Sequence, residues 1–237
     1  MRALAAHLRL ELALLARNGE SLLLTLGIPV VLLVFFANVD VLPIDGDPID
    51  FLAPGVLALA ILSTAFVNLA IGVGFEREYG VLKRLGATPL GRPRLLGAKT
   101  LSLLVVEALQ VAILWPLALA LGWDPAPQWT FALAVALGTV ACAGLGLCLA
   151  GSLRALVVLA AANGLYLVLL LLSGMVIPLE ELPDAAQRFA KVLPSAALAE
   201  VVRGTLTSTD VATRAWLVLT LWAIGAPVLA TRLFRWE

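Results

Sequence analysis

FEREYGVLKRLGATPLGRPRLLGAKT, residues 75–100, decides how this chain is organised. The stretch carries Arg77, Lys83, Arg84, Arg92, Arg94 and Lys99 against Glu76 and Glu78 only, between apolar runs long enough to cross a bilayer. Basic loops between spans stay on the cytoplasmic side of a membrane. From Glu76 to Leu85 there is no proline, and Tyr79, Leu82 and Leu85 recur at helical spacing with charged residues between them. The spacing predicts a short amphipathic helix over 76–85, stopped by Gly86 and Pro89.

The composition sets the class. Of 237 residues 62% are hydrophobic and 14% charged, and the mean hydropathy is +1.02, far from a soluble average. The expectation is an all-α integral membrane protein, one membrane domain over 1–237. Cys142 and Cys148 fall inside an apolar run and read as buried small residues rather than a disulfide or metal pair. The one histidine, His7, precedes the first span, which removes a two-histidine metal motif and an intramembrane Ser/His pair. A phosphate-binding loop needs G-x-x-x-x-G-K-[ST]; the nearest approach, Gly91 to Gly97-Ala98-Lys99-Thr100, misses the glycine spacing and the Gly-Lys step. No nucleotide, metal or other cofactor is expected on this chain, it is not expected to be an enzyme, and no nucleic-acid partner is expected.

In chain order, residues 1–20 place Leu4, Leu8, Leu12 and Leu15 on one face and suit an interfacial helix that stays attached. Spans follow at 21–37 (kinked at Pro29), 52–75, 97–123, 129–151, 155–177 and 215–234. The loop 38–51 holds Asp40, Asp45, Asp47 and Asp50 and reads as a solvated acidic loop, Pro43 and Pro48 breaking any calcium-binding register. Trp115, Trp123 and Trp129 are placed as an aromatic belt. In the fourth span Ala134, Gly138, Cys142, Gly146 and Ala150 repeat every four residues, a stripe for close helix approach, either static packing or a sliding surface. Residues 178–214 are too polar to span, and Pro183 and Pro194 divide them into helical pieces 184–192 and 195–205, folded onto or into the outer membrane face.

Sorted by side, the charges give the orientation. The segments assigned inside hold twelve basic and five acidic residues, a net of +7; those outside hold four basic and ten acidic, a net of −6. Six spans with both termini in the cytoplasm follow. One acid, Glu107, lies within a span, where a carboxylate needs partners or water. At ~1.5 Å per residue, Glu107, Asn68 and Asn163 all fall roughly 10 to 14 Å from the inner boundary, which predicts a polar layer contributed by the second, third and fifth spans. Packing alone and a role in lining or gating a path, with a proton-sensitive step, both remain open for Glu107.

Two features then coincide in order. After the second span stand Glu76-Arg77-Glu78-Tyr79-Gly80, Leu82, Leu85, Thr88-Pro89-Leu90 and Gly97-Ala98-Lys99. After the fifth stand Ser173-Gly174-Met175, Pro178, Leu182-Pro183, Leu193-Pro194 and Arg203-Gly204. Over essentially the whole chain this resembles the permease subunits of type-2 ABC exporters, the group that includes daunorubicin-resistance-type efflux permeases and polysaccharide exporters. The resemblance implies a half-transporter of the bacterial cytoplasmic membrane. Two permeases, identical or different, pair, and two separate ATPase subunits holding ATP and Mg dock below. A substrate of the drug, lipid or glycan class moves outward. It implies a coupling segment over 76–96, with Glu76, Arg77, Glu78, Gly80, Leu82, Arg84 and Leu85 facing the ATPase. It also implies that the hairpin 178–214, with Gly174, Pro178, Pro183, Pro194 and Arg203, closes the outer end of the path.

The physical argument runs beside the resemblance. A transporter without its own nucleotide site must receive energy through a stiff cytoplasmic element joined to its membrane helices. Residues 76–85 meet that requirement. The alternative is a structural or regulatory membrane subunit that recruits a cytoplasmic partner without transport.

Overall fold

The computed structural model describes residues 19–39, 47–86 and 92–234, and among them every regular element is a helix. Residues 1–18 of the expected interfacial helix and residues 40–46 of the acidic loop lie outside the described residues.

Helix α1, Gly19–Asn38, contains Pro29. Helix α2, Pro48–Leu62, passes through a π-helical turn, Ser63–Asn68, into α3, Leu69–Glu78, so that one apolar rod runs 31 residues from Pro48 to Glu78. The rod starts four residues earlier than the span reading places it. Asp47 is its N-cap, accepting from the Ile49 N–H at 3.2 Å, and Pro48 takes the first helical position, where its missing N–H costs nothing. Helix α4, Val81–Gly86, is followed by α5, Arg92–Ala120, α6, Thr130–Ser152, and α7, Ala155–Leu171. A 3₁₀ turn, Leu179–Glu181, and α8, Asp184–Ala190, lead to α9, Pro194–Thr207, and α10, Thr213–Leu233.

Among the described residues four helices are long and apolar enough to cross a membrane: Pro48–Glu78, Gly97–Ala120, Thr130–Ser152 and Thr213–Leu233. The apolar parts of α1, Thr25–Asn38, and α7, Ala155–Leu171, are shorter. The fifth helix therefore stops six residues before the expected 177. Gly174 takes φ +70, the left-handed conformation that ends a helix, and the Ser173 hydroxyl donates to the Leu170 carbonyl at 2.6 Å and accepts from the Met175 N–H at 3.0 Å.

The core is built on α2 and α6, which are apolar on all sides and buried over much of their length. Helix α6 packs along α10, and on its other side meets the π-turn, α3 and α9. Its small-residue stripe is what permits this: Ala134, Gly138, Cys142, Gly146 and Ala150 are all buried, and a Cβ on Gly146 would lie 2.8 Å from the Phe66 carbonyl oxygen. The stripe is the surface of closest helix approach. Helix α9, in the segment expected to fold onto or into the outer membrane face, packs between α2, α6 and α10 with eleven residues buried, its alanines letting three helices approach it. Of the tryptophans expected in a belt, Trp129 is 83% exposed, while Trp123 is 3% exposed and packs edge-on to Trp115 at 4.9 Å.

Candidate functional site

The basic segment differs from a single helix over 76–85. The rod continues to Glu78, Gly80 turns the chain at φ +70 with its N–H on the Arg77 carbonyl at 3.0 Å, and α4 begins afresh at Val81. The proline-free run concealed a glycine stop, a helix C-terminus with its left-handed residue. Helix α4 is fastened by Leu82, fully buried, while Val81, Lys83 and Arg84 are exposed and Tyr79, 69% exposed, stacks on Phe75. The side chain of Leu85 lies outside the described set, as does the stretch 87–91.

Glu76, Arg77 and Glu78, which the resemblance assigns to the partner-facing surface, each bond a different helix of this chain, Glu76 and Arg77 half-buried and Glu78 exposed. Glu76 accepts from Lys99 of α5 at 2.7 Å. Arg77 donates to the carbonyls of Gly151 and Leu153, at the C-terminal end of α6. Glu78 accepts the Ala155 N–H, the first of α7, at 2.9 Å. The last two contacts place charge where a helix end favours it: a cation at free carbonyls, a carboxylate at a free N–H. Of the seven residues assigned to the coupling face, Arg84 is exposed for contact, Gly80 forms the turn, and Leu82 is the anchor.

Within the membrane-spanning part, Asn68, Asn163 and Glu107 separate. Asn68 and Asn163 line one cavity of about 320 Å³ between α1, the Pro48–Glu78 rod and α7, together with Thr25, Ser63 and Tyr166. Asn68 donates to the Thr25 hydroxyl at 2.8 Å, and Asn163 to its own helix at Leu159, 2.7 Å away. Glu107, 1% exposed, instead meets Thr139 of α6 at 2.5 Å. The Thr139 hydroxyl also lies 2.8 Å from the Val135 carbonyl; with one proton for two acceptors, it satisfies both only if the carboxyl group brings a proton of its own.

Gln110, one turn beyond Glu107, is the link that reading by depth missed. Its amide donates to the Thr64 hydroxyl and to the Thr25 carbonyl, both at 3.0 Å. That carbonyl is available because Pro29, four residues on, has no N–H to give it. The signal was present in the sequence as Pro29 and as the i, i+3 pair Glu107–Gln110. The π-turn carries Thr64 and Asn68 into this cluster, as such bulges do at functional sites.

At the other end, Arg203 of α9 donates to the Gly174 carbonyl at 2.8 Å and lies 3.9 Å over the Phe51 ring. Burial draws its pKa down to about 10, against the pull of Glu180 and Glu200, and leaves it charged at neutral pH. Pro178 and Pro183 precede the 3₁₀ turn and α8, and Pro194 opens α9. The five hairpin residues thus fix the turns of one connection.

No curated protein matches the chain at a significant level. Residues 2–207 match the family model described as ABC-2 type transporter. The chain therefore belongs to the ABC-2 transporter family, whose members are multi-pass permease components of ABC transporters, themselves non-catalytic and served by ATPase partners in a lipid bilayer.

Proposed function

We propose that this chain is the membrane-spanning half of an ATP-driven exporter of the daunorubicin-resistance type, paired with a second permease and driven by separate ATPase subunits that bind ATP and Mg. The observation that carries the reading is α4: a short helix anchored by Leu82, presenting Val81, Lys83 and Arg84, and joined to the Pro48–Glu78 rod by one glycine turn. It is an exposed handle on a membrane helix.

Six spans, both termini in the cytoplasm of a bacterial cell, suit the charge asymmetry of +7 against −6. Helix α7 rises only ~25 Å, and the buried turn at Ser173–Met175 carries its path onward under the cover of α9, as backbone in a membrane requires. Asn68 and Asn163 are exposed on the single chain, and amide groups in lipid need cover; a second permease, the same or another, would enclose the cavity between α1, the rod and α7 as the path. Gln110 braces that wall from behind through Thr25 and Thr64. The Gly174–Arg203 connection closes the outer end. A drug, lipid or glycan would be the class of substrate moved outward.

The test uses the ATPase subunit that co-purifies with the chain from its native membrane. Arg84→Glu, at an exposed position, should insert normally and weaken ATPase retention about tenfold or more. Leu82→Ala, which removes the anchor at a cost of about 2–5 kcal/mol, should lower stimulated hydrolysis as well. Unchanged retention and stimulation in Arg84→Glu would reduce the segment to an orientation signal and leave a recruiting or structural subunit as the better reading.

A further inference from the structure

We propose that Arg77 and Glu78 are positioning residues that carry a displacement of α4 into the α6–α7 junction, and through α7 into the cavity wall that holds Asn163 and Tyr166. The proposal rests on the reading of α4 as the element that docks the ATPase. It goes beyond that reading by naming the output of the movement: the fifth span as well as the second.

The local sequence explains why the junction depends on these two residues. Helix α7 begins after Leu153-Arg154, and its N-cap, Arg154, makes no side-chain cap bond. The nearby hydroxyl, Ser152, is turned back onto the Cys148 carbonyl at 2.7 Å. The cap is supplied from another helix, by Glu78 on the Ala155 N–H. Arg77 holds the other side of the same junction through Gly151 and Leu153. Two adjacent side chains thus grip both ends of the connection 152–154, one and two residues before the Tyr79–Gly80 turn.

From this grip the motion has one stiff route. Helices α3 and α7 meet along Ala70, Val158 and Ala162, all buried, and a Cβ on Gly74 would lie 3.3 Å from Val158. Packing this close does not absorb a shift by compressing. Beside this contact, on the neighbouring face of the same helices, lies the cavity, with Ile71 and Asn68 on one wall and Leu159, Asn163 and Tyr166 on the other. About 15 Å of continuous helix separates Glu78 from Asn68. A turn of α4 would therefore be passed to both walls together, and loss of the grip would leave α7 behind.

The experiment places spin labels at Ile71→Cys and Leu159→Cys in the full chain, with Cys142 and Cys148 replaced by alanine, in liposomes with and without the co-purifying ATPase. In the parent protein ATP should shift the distance between the labels. Glu78→Ala should broaden the resting distance and cut the ATP-dependent shift about fivefold or more, the scale of one lost cap, with the ATPase still bound. Glu78→Gln, which keeps an oxygen acceptor, should restore both. Ala155→Pro serves if Glu78→Ala does not fold: it removes only the N–H that Glu78 holds. Proline suits the first turn of a helix, and Arg154 at φ −70, ψ 150 already has the conformation that precedes proline. A parent-like resting distance and ATP shift in both variants would overturn the joint. Failure of the parent to retain any ATPase would instead overturn the docking reading, and the relay with it.

Discussion

The Arg203 guanidinium donates to the Gly174 carbonyl at 2.8 Å, across 29 residues of chain, while its face rests on Phe51 at 3.9 Å. One side chain of α9 thereby holds the turn after α7 against the start of α2. A bond from a charged donor contributes about 1.5–3 kcal/mol and a shielded cation–π contact about 0.5–2 kcal/mol. Arg203→Ala should lower thermal stability in detergent by about 2–4 kcal/mol, with Arg203→Lys in between because an ammonium cannot both stack and donate as a planar fork does. Equal stability of all three proteins would show that the contact does not close the hairpin.

A second prediction concerns the same turn. A Cβ on Gly55 would fall 1.9 Å from the Met175 carbonyl oxygen, a backbone atom with no side chain to swing aside. Gly55→Ala should cost about 3 kcal/mol or more and abolish monodisperse protein. Gly225→Ala, where an added Cβ meets nothing within 4 Å, should gain up to about 1 kcal/mol from helix propensity. Thermal unfolding of the pair separates close packing from propensity.

The Glu107–Thr139 pair predicts non-additivity. Thr139→Val leaves the buried carboxyl group without its partner and should cost about 1–3 kcal/mol. Glu107→Gln should be better tolerated than Glu107→Leu, and the double change Glu107→Leu with Thr139→Val should recover part of the loss. Additive unfolding energies would mean that the two side chains do not act together. If the acid also serves transport, Glu107→Gln flattens its pH dependence.

Orientation is checked by labelling. Single cysteines at Asp45 and Asp184 in a cysteine-free chain should react with an impermeant reagent from outside, and one at Arg92 should not. Reversal at any of the three positions would break the six-span arrangement.

Apolar runs and proline positions made the membrane class and the helical make-up readable in the chain, because these depend on transfer of segments into lipid, a property of local composition. The string Glu76 to Gly80, on which the resemblance rested, was equally legible. The direction in which its side chains point was not. Periodicity gave the helical character of residues 76–85 and passed over Gly80, whose turn makes Glu76, Arg77 and Glu78 the last residues of the Pro48–Glu78 rod, each bonded to another helix. Depth counting grouped Glu107 with Asn68 and Asn163, but depth leaves rotation about the helix axis undetermined, and the packing of α5 on α6 turned Glu107 to Thr139. Likewise the carbonyl that Pro29 frees in Thr25 is a local fact, while the arrival of Gln110 from 85 residues away to take it is a tertiary one. Composition determines which segments enter the membrane; which faces meet is decided only when every helix end, small residue and buried polar group must be satisfied in one structure.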